Sequence, residues 1–271
     1  MDTEGLGRGN LTRRTEVYAV TSALHDISVT DQGFIRTLSF GRNRQSSMYL
    51  DAPFETDFEY PGYFHLALAV KPDATRALAV GLGGGTVVKR MWRDYPEMRV
   101  DAVELDPEVV DVAHRFFALP DDERIRVFVD DGRGFLETSA DTHDIVIVDA
   151  FEDDRVPPQL ADSGFMRALR DRLTPDGAVV YNFMGAVEGD GSAAFRALHA
   201  TLVGAWRRVC VFVVNEGVSA DGGGTNLILL ATDAPLTDSE LRARIADRVG
   251  GRVTVPGFHL FGADLWDGET A

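Results

Sequence analysis

Four glycines in six residues, Gly81-Leu82-Gly83-Gly84-Gly85-Thr86, separate an apolar run from a helix-forming one. The missing side chains let a ligand approach the backbone, and the free N–H groups of a helix start favour an anionic group there. The nicotinamide fingerprint G-x-G-x-x-G/A needs Gly or Ala at position 86, so Thr86 points to a nucleoside other than NAD. Glu104 follows at about the 20-residue spacing where an acidic residue holds ribose hydroxyls. Asp130-Asp131-Gly132 comes next in the chain, and a carboxylate there can either accept from an adenine amine or cap the short helix that follows. Asp149 opens the acidic run Asp149-Ala150-Phe151-Glu152-Asp153-Asp154. Such a run can hold a sulfonium or amine, and crowded carboxylates gain the raised pKa of a general base. It can equally be a solvated loop.

These residues are useful only if the chain brings them to one edge. From Arg76 onwards short apolar strands alternate with helical sequence, at 76–81, 99–104, 124–129, 144–149 and 178–183, which predicts a parallel sheet with crossover helices. The glycine loop, Glu104, Asp130-Asp131 and Asp149 each stand at the carboxyl end of one of these strands, where open α/β sheets bind ligands. Asp106 and Pro107 suit the start of the helix after the second strand, with Val109, Val110, Ala113, Phe116 and Phe117 as its apolar face. Residues 207–214 and 225–231 leave no room for a crossover helix and must pair antiparallel.

Ahead of this domain, short β segments at Tyr18–Ser22, Asp26–Thr30, Phe34–Phe40 and Ser46–Leu50 alternate with turn residues and predict a small antiparallel sheet. The aromatic and aliphatic spacing from Glu55 to Val70 reads as a connecting helix. Thr237 to Val249 reads as a surface helix with a Thr237/Glu240 capping box, stopped by Gly250-Gly251. The expected division is 1–53 as the N-terminal β domain, 54–235 as the cofactor-binding domain and 236–271 as a C-terminal helix and tail.

At 271 residues and 45% hydrophobic the chain can bury a full core, and it carries no apolar run of about 20 residues, so a cytoplasmic location and no membrane partner are expected. A formal charge of −16 argues against nucleic-acid binding and suits a cationic partner, although it also serves solubility. The single cysteine, Cys210, excludes internal disulfides and Cys-rich metal sites, and no His/Cys/Asp cluster shows metal-ligand spacing. The free edge of the N-terminal sheet suggests a homodimer or larger homo-oligomer.

Tyr60, the Gly81–Gly85 loop, Val103-Glu104-Leu105-Asp106, Asp131-Gly132 and Val146-Ile147-Val148-Asp149 occur in the order and spacing of the spermidine synthase family. The resemblance, over roughly residues 15 to 231, implies a Rossmann-like methyltransferase sheet, mostly parallel with an antiparallel end strand, preceded by a small antiparallel β domain. It implies S-adenosylmethionine or its decarboxylated form as cofactor. Gly81, Gly83, Gly84 and Gly85 would cradle the methionine portion, Glu104 the ribose and Asp131 the adenine, with Asp149 beside the transferred group. Asp149, with Glu152 or Tyr60, would orient or deprotonate a small-molecule acceptor. The chain departs from the family where Gly84 replaces an Asp that grips the aminopropyl amine, where Glu152 replaces a base Asp, and where Pro61 replaces a Gln. His65 falls one position off a family histidine and takes no role.

Loss of a carboxylate at Gly84 removes repulsion of the cofactor's own carboxylate. On that reasoning the expected reaction is methyl transfer from intact S-adenosylmethionine. The alternatives are aminopropyl transfer to a diamine, which the acidic run favours, and a non-catalytic nucleoside-binding or assembly protein.

Overall fold

The computed structural model describes residues 13–152, 155–214, 225–249 and 265–266. The expected Gly250-Gly251 stop, Asp153, Asp154 and the Gly-rich 219–224 loop lie outside them. Strands β1 (Thr15–Thr21), β2 (Asp26–Gln32), β3 (Ile35–Phe40) and β4 (Asn43–Tyr49) form an antiparallel four-stranded meander. The second sheet contains β5 (Arg76–Val80), β6 (Arg99–Glu104), β7 (Ile125–Val129), β8 (His143–Val148), β9 (Leu173–Gly185), β10 (Arg208–Val213), β11 (Thr225–Thr232) and β12 (Leu265–Trp266), in the order β12-β10-β11-β9-β8-β5-β6-β7. Its β9-β8-β5-β6-β7 segment is parallel, while β11 runs antiparallel to both β9 and β10.

The chain winds outward from β5 to β6 and β7, then returns to lay β8 on the other side of β5. Val80 is therefore flanked by Val103 and Val148. This reversal leaves a crevice at the carboxyl ends of β5 and β8. Helices cover both faces. Helix α1 (Ala67–Val70), α2 (Thr86–Asp94) and α7 (Asp238–Arg244) pack on one face through Leu68, Val88, Met91 and Leu241. On the other face, α4 (Gly132–Thr138), α5 (Ser163–Asp171) and α6 (Ala193–Ala205) pack through Phe135, Leu136, Phe165, Leu169, Phe195 and Leu202.

Helix α3 (Pro107–Phe116) joins the two sheets. Ile27, Val29, Leu38 and Met48 of the meander close on Val109, Val112 and Phe117, a satellite core separate from the main one. Polar contacts edge it: the Tyr18 hydroxyl donates to Glu108 at 2.8 Å, Arg36 donates to the Phe116 carbonyl at 3.1 Å, and Ser22 donates to Asp106. The Lys89 ammonium, fully buried, donates to the carbonyls of Pro53 and Phe117 at 2.9 and 2.6 Å, tying the segment after β4 to α2 and the end of α3.

Asp106 caps α3 as its sequence predicts, accepting from the Glu108 amide at 2.9 Å. The Thr237/Glu240 capping box is also formed at α7, although the helix widens to π geometry from Ile245 to Val249. The predicted helix over Glu55–Val70 is a correction: the chain is helical only from Tyr60, as a 3-10 segment Tyr60–Leu66 leading into α1. Pro61 accounts for the late start, because proline is tolerated only in a helix's first turn. Upstream, the Glu55 carbonyl instead accepts from the Tyr49 amide at 3.1 Å, at the end of β4. Cys210 is a buried residue of β10. No helix among the described residues is long and apolar enough to cross a membrane.

Asp106 serves both the α3 cap and the link to Ser22, so Asp106→Ala is expected to lower stability by about 1–2 kcal/mol. Urea unfolding at pH 7.5 checks this, with Asp111→Ala on the exposed face of α3 as a near-neutral control.

Candidate functional site

Where β5 ends, the backbone of Gly81 passes against β8. The Gly81 amide donates to the Val103 carbonyl and the Asp149 amide to the Val80 carbonyl, each at 2.9 Å. Gly81 has φ +98°, and a Cβ there would lie 2.2 Å from the Asp149 carbonyl oxygen, so no other residue fits. The loop then turns onto α2. Glu104 turns its carboxylate back onto this loop, accepting from the Leu82 amide at 3.0 Å and from the Asp106 amide at 3.1 Å. Burial pushes the Glu104 carboxyl up, and the surrounding backbone N–H groups pull it partly back. A residue at the expected ribose position thus also holds the glycine loop in shape.

At the end of β7, Asp131 is the N-cap of α4 and accepts from the Gly134 amide at 2.7 Å through Oδ1. Asp130 accepts from the amide of Asp131 at 2.8 Å. The capping role, open to either residue in the sequence, falls to Asp131. It occupies one carboxylate oxygen.

Asp149 stands half-buried at the end of β8. The Asn182 amide of β9 donates to its Oδ1 at 2.9 Å, and the Tyr60 hydroxyl donates to the same carboxyl. Burial raises its pKa from 3.8 to about 6 against the opposing pull of these two donors. A carboxyl poised there ionises near neutrality and retains the basicity to take a proton from an amine. Glu152, in contrast, is exposed, and its main chain exchanges reciprocal bonds with Arg155 at 2.8 and 3.1 Å.

Gly81, Gly83, Glu104, Asp131, Asp149, Glu152 and Tyr60 all line one cavity of about 650 Å3. The meander supplies the facing wall with His25, Phe40, Arg44, Gln45 and Ser46. His25 stacks on Phe40 with ring centroids 4.1 Å apart, and Arg44 lies over Phe58 while pairing with Asp57 at 2.8 Å.

Gly84 and Gly85 are not among the lining residues. A Cβ on Gly84 would meet the Phe117 ring at 2.9 Å and Ser46 at 3.0 Å, so the direction of its missing side chain is already filled by packing. The glycine answers to the α3 end and β4; it does not open space for a cofactor carboxylate. His65 is buried away from the cavity walls, bonded to the Tyr95 hydroxyl at 2.8 Å, and burial lowers its pKa to about 3.

The cavity also contains Asn182, Asn226, Gln45 and Ser46, which the sequence did not single out. Asn182 had left a signal as the one amide inside the apolar run Ala178–Phe183, and Asn226 leads the apolar run of β11. Gln45 and Ser46 had none, because their place depends on how the meander docks.

The raised pKa of Asp149 sets a pH dependence of stability. The folded chain retains a proton that the unfolded chain has released, so the group's contribution is full below about pH 4 and is lost as pH rises through about 6. Asp149→Asn, which keeps the shape without the charge, is expected to exceed the wild type by on the order of 1–2 kcal/mol at pH 7.5 and to match it at pH 4. Paired urea titrations at the two pH values check the difference.

Residues 63–184 match the spermine/spermidine synthase domain. A Bifidobacterium longum protein named "Probable polyamine aminopropyl transferase" is 35% identical over 48% of this chain and 29% of its own length. The "Polyamine aminopropyltransferase" of Neisseria meningitidis serogroup A is 29% identical over 60% of this chain and 63% of its own. The chain thus spans less than two thirds of either relative. In three dimensions, a structure described as "a probable spermidine synthase" from Corynebacterium glutamicum superposes with a TM-score of 0.74 at 20% identity, covering 94% of this chain and 95% of that one, a likeness of fold. The chain is thus similar over residues 63–184 to the spermine/spermidine synthase domain, and over nearly its whole length it shares the fold of the Corynebacterium structure.

Proposed function

We propose that the chain is an aminopropyltransferase, moving the aminopropyl group of decarboxylated S-adenosylmethionine to the nitrogen of an amine such as a diamine. The observation that carries this reading is Asp149: a half-buried carboxyl, raised to about 6, held by Tyr60 and Asn182 on a cavity shared with Glu104 and the glycine loop. Both relatives named above are described as polyamine aminopropyltransferases, which favours aminopropyl over the methyl transfer expected from Gly84. That expectation also loses its physical basis, since the side-chain direction at Gly84 is filled by Phe117 and Ser46.

The residues present suit an adenosyl sulfonium. Gly81 and Gly83 offer bare backbone to the aliphatic arm, Glu104 has a carboxylate for the ribose diol, and Asp131 retains the oxygen not used in capping α4. Asp149 would draw the acceptor ammonium to the cavity, accept one of its protons, and leave a lone pair free for in-line attack. As the new N–C bond forms the C–S bond breaks, and methylthioadenosine departs neutral. Tyr60, donating to Asp149, would keep the carboxylate from turning away, and the apolar Phe58, Pro61 and Met184 beside it would exclude competing water. Catalysis of this kind rests on placement and charge.

A second reading, methyl transfer, retains one observation in its favour. The position from which the family's Asp would grip the aminopropyl ammonium is occupied by packing, and Ser46 and Thr86 place a pair of hydroxyls 3.5 Å apart at that end of the cavity instead.

Incubation of the purified chain with putrescine and either cofactor, followed by mass spectrometry, separates the two. Spermidine and methylthioadenosine from the decarboxylated cofactor support aminopropyl transfer; S-adenosylhomocysteine and a methylated amine from the intact one establish the second reading. The rate should rise with pH through about 6 as Asp149 ionises. Asp149→Asn should lower kcat/KM at least about 100-fold while leaving cofactor affinity within a few-fold.

A further inference from the structure

We propose that Asn226 is a positioning residue for this reaction, acting through Asn182 to fix the orientation of the Asp149 carboxyl. The inference rests on the aminopropyltransferase reading for its purpose, but its geometry does not.

The Asn226 amide donates through Nδ2 to Asn182 Oδ1 at 2.9 Å, and Asn182 donates through its own Nδ2 to Asp149 Oδ1 at 2.9 Å. A carboxamide has one accepting end and one donating end. With its oxygen engaged by Asn226, Asn182 presents only its NH2 group to Asp149. Without that engagement the Asn182 amide is free to turn over, setting an oxygen against the carboxylate.

The framework holds all three residues rigidly. Asn182 is 1% exposed near the carboxyl end of β9, and Asn226 lies opposite Met184 in the β9–β11 register. The Asn226 carbonyl accepts from the Val214 amide at 2.9 Å, which pins the start of β11 to the strand beside it. Because β11 is antiparallel, its beginning lies at the carboxyl edge of the parallel strands, level with the cavity. A parallel strand in that place would bring its last residues there instead.

Asn182 and the Tyr60 hydroxyl are the groups acting on Asp149, with burial. The charged or titratable side chains on the same cavity wall are Glu104 and Glu152, with Asp130 and Asp131 at the β7 end and Arg44 and His25 on the meander. The amide pair carries no charge, so it aligns the carboxyl without the tight pairing by which an Arg or Lys would suppress its basicity.

The test is a carboxyl 13C NMR titration of Asp149, assigned with Asp149→Asn, in the wild type, Asn226→Leu, Asn182→Leu and the double variant. This readout needs no substrate. Asn226→Leu should move the Asp149 midpoint upward by about one pH unit. In the Asn182→Leu background the same change should move it by less than a third as much, the coupling that identifies action through Asn182. In transfer assays the acid limb of kcat/KM should shift in parallel, with cofactor affinity little changed. Asn226→Ser, smaller and polar, provides the same comparison if the leucine variant does not fold. An unshifted midpoint in the Asn226 variants overturns the proposal, as does an equal shift with and without Asn182. A coupled shift in a chain that transfers no aminopropyl group upholds the relay and removes the reaction assigned to it.

Discussion

Everything in the site depends on the contact between the backbone of Gly81 and the Asp149 carbonyl, closer than any side chain permits. It occurs where β5 and β8 adjoin, at the point where the winding of the sheet reverses and the flanking helices pass to opposite faces. The approach sets the glycine loop directly beside the strand that ends in Asp149, the proposed base. Glu104 then braces the same loop from the other side through the Leu82 amide. The glycine loop, Glu104 and Asp149 are therefore one mechanical unit.

That unit contains conflicts that folding alone would not select. The Asp149 carboxyl is raised by burial, so its ionised form weakens the fold near neutrality while fitting it for proton transfer. Asp131 caps a helix with one oxygen while standing on the cavity wall. Tyr60 and Asn182 offset part of the burial of Asp149 without neutralising it, leaving a carboxyl that still binds a proton. Asp101 behaves differently: gripped by Arg126 and His143, it is lowered to about 2 despite its burial.

Local chemistry was legible in the sequence wherever the cause and the effect lie within one turn of chain. The Asp106 cap, the Thr237/Glu240 box and the strand ends carrying Glu104, Asp131 and Asp149 are of this kind. Gly84 was misjudged because the atoms that demand a glycine there, on Phe117 and Ser46, come from the end of α3 and from β4. The Glu55–Val70 stretch was overextended because spacing of apolar residues does not register the stop that Pro61 imposes. Gln45 and Ser46 leave no signal at all, and Asn226 only its place at the head of an apolar run, for a third reason. Their roles depend on a docking and on a strand register, and neither is written in their neighbours.

The cavity has two walls of separate descent along the chain. One is made of strand ends that must stay as they are to keep Gly81 against Asp149. The other is a meander fastened through a satellite core of its own, in which Ile27, Val29, Leu38 and Met48 meet α3. Substitutions at Arg44, Gln45 or His25 can therefore drift without disturbing the strand-end side of the cleft. Such an arrangement lets one wall of the cleft change while the other is inherited whole, and it makes the meander the wall where relatives of this fold should diverge first.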